Sequence, residues 1–390
     1  MLTIFLMESE SSDRSAFSLI YHKNNGFFLL RMHINPFPRC HDALSHLQIG
    51  FLTQNSNNLF TQLLRLRGHG DSASPSTAYS ERVVRSRVDA ILKQLPPKYD
   101  MVVIEEKAKE LLEDETQAPF VVVALHECKR MNALLTEVGR SLLELQMGLN
   151  GKLNISTRMD ELAEAVNLDQ VPGSNPLHRA SWLTLSWASN KSLSAWVDDL
   201  IKRVQQLTSW VGTLALPKCL WLPGLFNPTA FLTAIMQVTA RKTKMPLNQM
   251  VTETHVTTFA TPEDARSAMI GGYGVLVHGL FLQGARWFSQ ENDQPVVVDG
   301  LPTAGVLSEA TLQELFSPMP VLYIKAVPVQ ETWRAESVGY LRPDPGLYNC
   351  PVYSTTERGS RFLTVATLKT SAPAEKWIKA GVAIMMQTPD

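Results

Sequence analysis

The sequence predicts an α+β protein in which an N-terminal helical bundle precedes a C-terminal antiparallel β-structure. Three observations carry that expectation. Apolar residues recur at helical spacing from Val84 to Val238. Past residue 250 the apolar period drops from near 3.6 residues to 2. Every helix-type segment comes before every strand-type segment, which favours segregated layers over an alternating βαβ order.

The elements follow in sequence order. Residues 1–79 are rich in Asn and Ser and weakly patterned, and GHGDSASPST (68–77) reads as a flexible linker. Val84, Val88, Ile91 and Leu95 form one helical face that Pro96-Pro97 stops. Residues 101–115 repeat the pattern through Ile104, Ala108 and Leu111. After Pro119 a long stripe runs through Leu125, Cys128, Met131, Leu135, Val138, Leu142, Leu145 and Leu149, ended by Asn150-Gly151. At ~1.5 Å per residue that helix reaches about 45 Å. Thr157-x-x-Asp160 suggests a capping box for a shorter helix over 159–166. Ser192 caps a helix over 193–211, and Gly212 ends it.

The stretch CLWLPGLFNPTAFLTAIMQVTARK (219–242) reads as a short buried strand, a Pro223-Gly224 corner and a helix. Asn227 caps that helix, Pro228 takes its first position, and a cationic last turn suits its dipole. Strands are then expected at 251–259, 274–282, 295–300, 320–327, 348–355, 361–369 and 381–387. Their turns are spaced as in a barrel or a sandwich.

Composition narrows the function. A net charge of −1 gives no bulk attraction to nucleic acid or anionic membrane. Cys40, Cys128, Cys219 and Cys350 lie far apart without a CxxC pair, which fits a reducing compartment and no zinc site. MLTIFLMESE lacks a basic n-region, and GFFLLRMHI is too short to span a bilayer, so no targeting or membrane segment is expected. Gly151-Lys152 lacks the glycine and hydroxyl partners of a phosphate loop. His126-Glu127 begins like HExxH but has Arg130 at the second histidine position. His255 and His278 read as polar residues on strands, and no catalytic set is expected. All eight tryptophans lie at or after residue 182, where they read as packing between the helices and the sheet.

Five blocks resemble the C-terminal region of dynein heavy chains. Trp221-Leu222-Pro223-Gly224-Leu225-Phe226, then Phe231-Leu232-Thr233-Ala234, Gln237 and Ala240-Arg241-Lys242, resembles that family's W-x-x-G-x-F…FLT…Q…ARK signature. GLFLQGARW (279–287) is similar to GLFLEGARW, and CPVYSTTERG (350–359) to CPVYKTS-x-R-G. WIKAGVA (377–383) is similar to W-I-x-x-G-V-A, and LPPKYD (95–100) to LPPxFD. The blocks stand in the family's order and cover about 80–390.

The resemblance implies more than the spacing does. It selects the antiparallel β-barrel, over 251–390, as the C-terminal layer. It assigns 80–250 to the end of the last AAA+ module and the helical part of the dynein C-terminal domain. Residues 1–79 stay a poorly defined segment and linker. The family's task is ATP-driven movement toward microtubule minus ends, but ATP belongs to AAA+ modules with no counterpart in these residues. No cofactor, metal or catalytic residue is therefore carried over, and no ATP hydrolysis by this chain alone is expected.

The implied partners are the remaining AAA+ ring, dynein light and intermediate chains, and the microtubule through the full motor, with no nucleic acid and no membrane. The implied location is cytoplasm and cytoskeleton, including the axoneme of a cilium or flagellum. Candidate structural and interdomain residues are Trp221, Gly224, Phe226, Phe231, Arg241, Gly279, Phe281, Gly284, Arg286, Trp287, Pro351, Tyr353, Arg358, Trp377 and Gly381. The alternative is a stand-alone interaction module whose barrel takes a light chain or small ligand.

Overall fold

The structure, a computed structural model, describes residues 4–6, 18–22, 26–30, 81–114, 117–172, 182–189, 191–266, 274–289, 295–298, 316–328, 346–356, 358, 361–370 and 373–388. The expected linker at 68–77 lies outside these residues. The protein divides into two compact units, Met1–Ser45 and His46–Asp390. In the first, β1 (Ile4–Leu6), β2 (Ser18–His22) and β3 (Gly26–Leu30) form an antiparallel meander, with Ile4 opposite Ile20 and Tyr21 opposite Phe27. The weak sequence pattern there predicted no element.

Among its described residues, the second unit begins with helices. α1 (Glu81–Gln94) buries Val84, Val88 and Ile91, the stripe read from spacing. α2 (Met101–Glu113) starts at Asp100, whose carboxylate accepts from the Val102 and Val103 amides. α3 (Ala118–Leu149) is the long central helix, and Gly151 at φ 70 lets the backbone leave it. α4 (Thr157–Asn167) is capped by Ser156, one residue before the expected Thr157, because the Ser156 hydroxyl reaches the Met159 amide. A single turn, α5 (Trp182–Leu185), follows. α6 (Leu193–Thr213) has the expected Ser192 cap, but its left-handed exit residue is Leu214 at φ 54, two positions beyond Gly212.

β4 (Cys219–Trp221) leads through a 3-10 turn at Leu222–Gly224 into α7 (Pro228–Thr243). Asn227 caps α7 by accepting from the Ala230 amide, and Arg241 and Lys242 fall in its last turn. β5 (Met250–Val256), α8 (Pro262–Arg266), β6 (Val275–His278), β7 (Phe281–Gln283), β8 (Arg286–Ser289) and β9 (Pro295–Val298) come next. After them stand β10 (Phe316–Pro318), β11 (Leu322–Pro328), β12 (Leu347–Tyr353), β13 (Phe362–Lys369), α9 (Ala374–Lys379) and β14 (Ala383–Met385).

The α+β class holds, but two expectations about the strands need correction. The strands form mixed sheets and, among the described residues, no closed barrel. One sheet has the order β4-β6-β11-β5, the other β10-β7-β14-β12-β13, and β8 pairs with β9 alone. Neither large sheet is purely antiparallel: β4 runs parallel to β6, and β12 parallel to β14. The reason is topological. Between β4 and β6 the backbone passes through α7, β5 and α8, and between β12 and β14 through the antiparallel β13 and α9, so each later strand enters in the direction of the earlier one.

The second correction is that residues 274–282 are not one strand. Gly279 sits at φ 87, a conformation that breaks an extended run, and it sends β6 to one sheet and β7 to the other. The two sheets also meet where the Thr252 and Thr364 hydroxyls lie 3.2 Å apart.

One continuous apolar core joins the helices to both sheets, from Val84 through Phe231 and Ile324 to Met386. Side groups alternate as a pleated strand requires. On β6, Val275 and Val277 enter this core, while Leu276 joins Cys219, Ala265 and Val321 in a smaller cluster on the opposite face. Among the described residues no helix is long and apolar enough to cross a membrane.

Candidate functional site: a junction of helices and sheets

The candidate residues gather at two places. The first is built around Trp221, the last residue of β4. Its amide donates to Gln206 Oε1 at 2.8 Å, and its carbonyl accepts from Gln206 Nε2 at 3.1 Å. A glutamine of α6 thus completes the strand edge. Glycines make room for the indole: a Cβ on Gly279 would lie 2.3 Å from Trp221 Cδ1, and one on Gly224 2.6 Å from Trp221 Cε3. Phe231 lies in the main core and Phe226 packs against it. Phe226 meets Trp187 edge-on at 5.8 Å, and Phe231 joins Trp210 to Phe120. Behind them the indoles of Trp182, Trp196 and Trp187 stack in series at 5.6 and 5.1 Å.

Two charged residues sit inside this junction, and neither was a candidate from the sequence. Glu127 on α3 is 3% exposed, and its carboxylate accepts from the Phe226 amide at 2.6 Å and the Asn227 amide at 3.0 Å. These N–H groups open α7, where a helix dipole favours an anion. Burial pushes the Glu127 carboxyl above its ordinary range, while the two amides, Arg130 and Arg203 oppose that shift.

Arg203 on α6 is 1% exposed. Its guanidinium carbon lies 3.8 Å from the Trp187 ring centre and 5.3 Å from that of Trp221. Burial brings its pKa down to about 9, against the pull of Asp199 and Glu127. Its Nη1 donates to the Leu225 carbonyl at 3.4 Å, whereas Nε and Nη2 have no hydrogen-bond partner among the described residues. Both residues could be found by one signal: a charge standing on an otherwise apolar helical stripe. Glu127 lies three residues after Ala124 and four before Met131, and Arg203 lies between Leu200 and Leu207. Gln206 has no such signal, since its role depends on a strand that only the fold brings near.

The second place is a clasp near the last strand, β14. Arg358, 2% exposed and at φ 55, donates through Nη2 to the Gly381 carbonyl and to Gln283 Oε1, both at 2.8 Å. Burial lowers its pKa, opposed by Tyr353, Tyr348 and Cys350. Tyr353 meets Phe362 edge-on at 5.9 Å, and Phe281 packs on Tyr353's cluster with Ala383 and Met385. Trp377 donates from Nε1 to the Thr370 hydroxyl at 2.7 Å. Gly284 at φ 83 and Gly381 at φ 66 turn the backbone beside it, and Pro351 lies on β12 opposite Val365.

Three candidates belong to neither place. Arg241 is exposed at the end of α7, and Arg286 and Trp287 lie on β8, where the Trp287 amide donates to Ser317 Oγ at 3.0 Å. The chemistry of both places is fixation: each buried charge is held by rings, amides or carbonyls that lock neighbouring elements together.

A family model for the C-terminal domain of dynein heavy chains matches residues 53–386, so the likeness begins upstream of the residue 80 expected from motifs. The protein is 40% identical over 342 residues to the dynein beta chain, ciliary, of Heliocidaris crassispina, covering 87% of this protein and 7% of the relative. It is 36% identical over 341 residues to dynein axonemal heavy chain 9 of Homo sapiens, with the same coverage. It is 36% identical over 349 residues to the dynein alpha chain, flagellar outer arm, of Chlamydomonas reinhardtii, again with 87% and 7% covered. These 390 residues thus span about 7% of the length of these relatives. The protein belongs to the dynein heavy chain family, within that family's C-terminal domain.

Proposed function

We propose that this protein is the structural and regulatory C-terminal portion of a dynein heavy chain, part of a minus-end-directed microtubule motor that works in the cytoskeleton of a cilium or flagellum. The observation that carries the reading is the continuous core that unites helices and both sheets. A body joined this way moves as one piece and can pass load from one surface to another. Its partner surface would be the remaining AAA+ ring. Val102 and Val103 on α2 are 78% and 48% exposed, which supplies apolar area for such contact.

On this reading ATP binds and is hydrolysed in ring modules outside these residues, and light and intermediate chains join through the complete complex. The domain modulates motion by contacting two ring states differently. On this reading 80–250 hold the end of the last AAA+ module and the helical part of the C-terminal domain, and 251–390 its sheet part.

The test is the ATPase rate and stall force of a full motor with and without residues 213–390. A change in either supports the regulatory role, and unchanged values in both remove it. The purified 390-residue protein should show no ATP turnover, and sustained turnover would refute the assignment of hydrolysis to other modules.

A further inference from the structure

α6, β4, the β6–β7 turn and the residues after β14 enclose a groove of about 940 Å³. Its rim carries Lys202, Lys218 and Arg266, all exposed. Lys191 lines it too, but is matched by Asp199 at 3.2 Å. Asp199 is the single carboxylate in the lining among the described residues. Arg266 reaches Glu263 only at 3.7 Å, Lys218 Nζ donates to the Arg266 carbonyl, and Lys202 has no ion pair among the described residues. The opening is therefore cationic, although the protein as a whole carries a charge of −1.

The wall offers main-chain groups as well. β4 is the edge of its sheet. Gln206 takes both backbone groups of Trp221 on the open side, as a neighbouring strand would. Backbone groups alternate sides along a strand. Cys219, two residues earlier and also in the lining, therefore turns its N–H and C=O the same way, toward the open side. Gln387 Oε1 in the same wall is buried with no hydrogen-bond partner among the described residues. A strand edge open at Cys219 beside the groups that Gln206 already holds, a buried acceptor and a cationic rim match the donors, acceptors and charge of an extended acidic segment.

We propose that this groove docks an extended acidic segment of a partner protein, which adds as a short strand along the edge of β4 at Cys219. The site goes beyond the motor reading and does not depend on it. Strand pairing supplies affinity without regard to sequence, and the lysines select for carboxylates.

The experiment titrates the full 390-residue protein with a fluorescein-labelled peptide of alternating Glu and Thr, and with the same peptide carrying Lys for Glu, at low and high salt. The acidic peptide should bind about tenfold or more tightly than the basic one, and salt should weaken it. The exposed charge reversals Lys202→Glu and Lys218→Glu together should cost about tenfold in affinity with unchanged thermal unfolding. Hydrogen exchange should show the Cys219 amide protected in the complex. Equal binding of both peptides, or charge reversal without effect, overturns the proposal. Acidic-peptide binding without protection at Cys219 overturns strand addition, and binding of tripolyphosphate but not peptide overturns the partner class.

Discussion

Two buried arginines solve the same problem in opposite ways. Arg358 in the clasp is held by direct hydrogen bonds to the Gly381 carbonyl and Gln283, with tyrosines and a thiol nearby. Arg203 in the junction makes one long hydrogen bond and lies against Trp187, with Glu127 and Asp199 acting through space. The clasp commits its cation to local carbonyls within the sheet layer. The junction uses its cation, on α6, to hold a buried carboxylate on α3 and the Trp187 ring that follows α5 in register. The difference teaches that equal burial does not mean equal reach: Arg358 ties together the last strands, whereas the Arg203–Glu127 group ties α3, α6 and the start of α7.

The comparison breaks most sharply at Glu127. Glu127→Ala strands the Phe226 and Asn227 amides and leaves Arg203 with less compensation. It should lower stability by about 3–5 kcal/mol in urea unfolding. A cost no larger than that of Arg358→Ala would show that the junction has no greater reach. Gly279→Ala comes next, at about 3 kcal/mol, since the added methyl meets Trp221 and the backbone must hold a positive φ. Arg358→Ala should cost about 2–3 kcal/mol by stripping partners from two acceptors, while leaving the tryptophan fluorescence of the junction unchanged.

A pH series sharpens the contrast further. Glu127 has a folded pKa raised by burial, so the folded state holds its proton more tightly than the unfolded state does. Its contribution is greatest below the ordinary glutamate pKa and declines as pH rises through the raised value. Glu127→Gln should flatten that decline, measured as urea midpoint against pH from the acid side to neutrality, whereas Arg358→Ala should leave its slope intact. The smallest effect is expected at Asn227→Ala, about 1 kcal/mol for a lost cap at the junction's exit.

Local features were the legible ones. The stripes of α1, α3 and α6, the caps Ser192 and Asn227 and the Gly151 exit follow from spacing and backbone preference within a few residues. Strand partners were not legible, because pairing joins residues far apart in sequence, and the β4–β6 and β12–β14 pairs run parallel against the expected antiparallel order. Of the candidate site, Gly224 and Gly279 do meet Trp221, while Phe226 and Phe231 join the main core. Arg241 stands apart from both places, in the last turn of α7, where a cation suits the helix dipole. Glu127 is masked by its neighbour: His126-Glu127 looks like the start of a metal motif, whereas the informative fact is a carboxylate on an apolar face.

Gly279 has a mechanical consequence. Since only Gly279 and Leu280 separate β6 from β7, the two sheets share one unbroken covalent thread at the point where the Trp221 indole rests. Sliding one sheet past the other would have to twist that two-residue link and lift the indole from its seat. Shear is thereby converted into a disturbance of the helices, and the layers yield together or not at all.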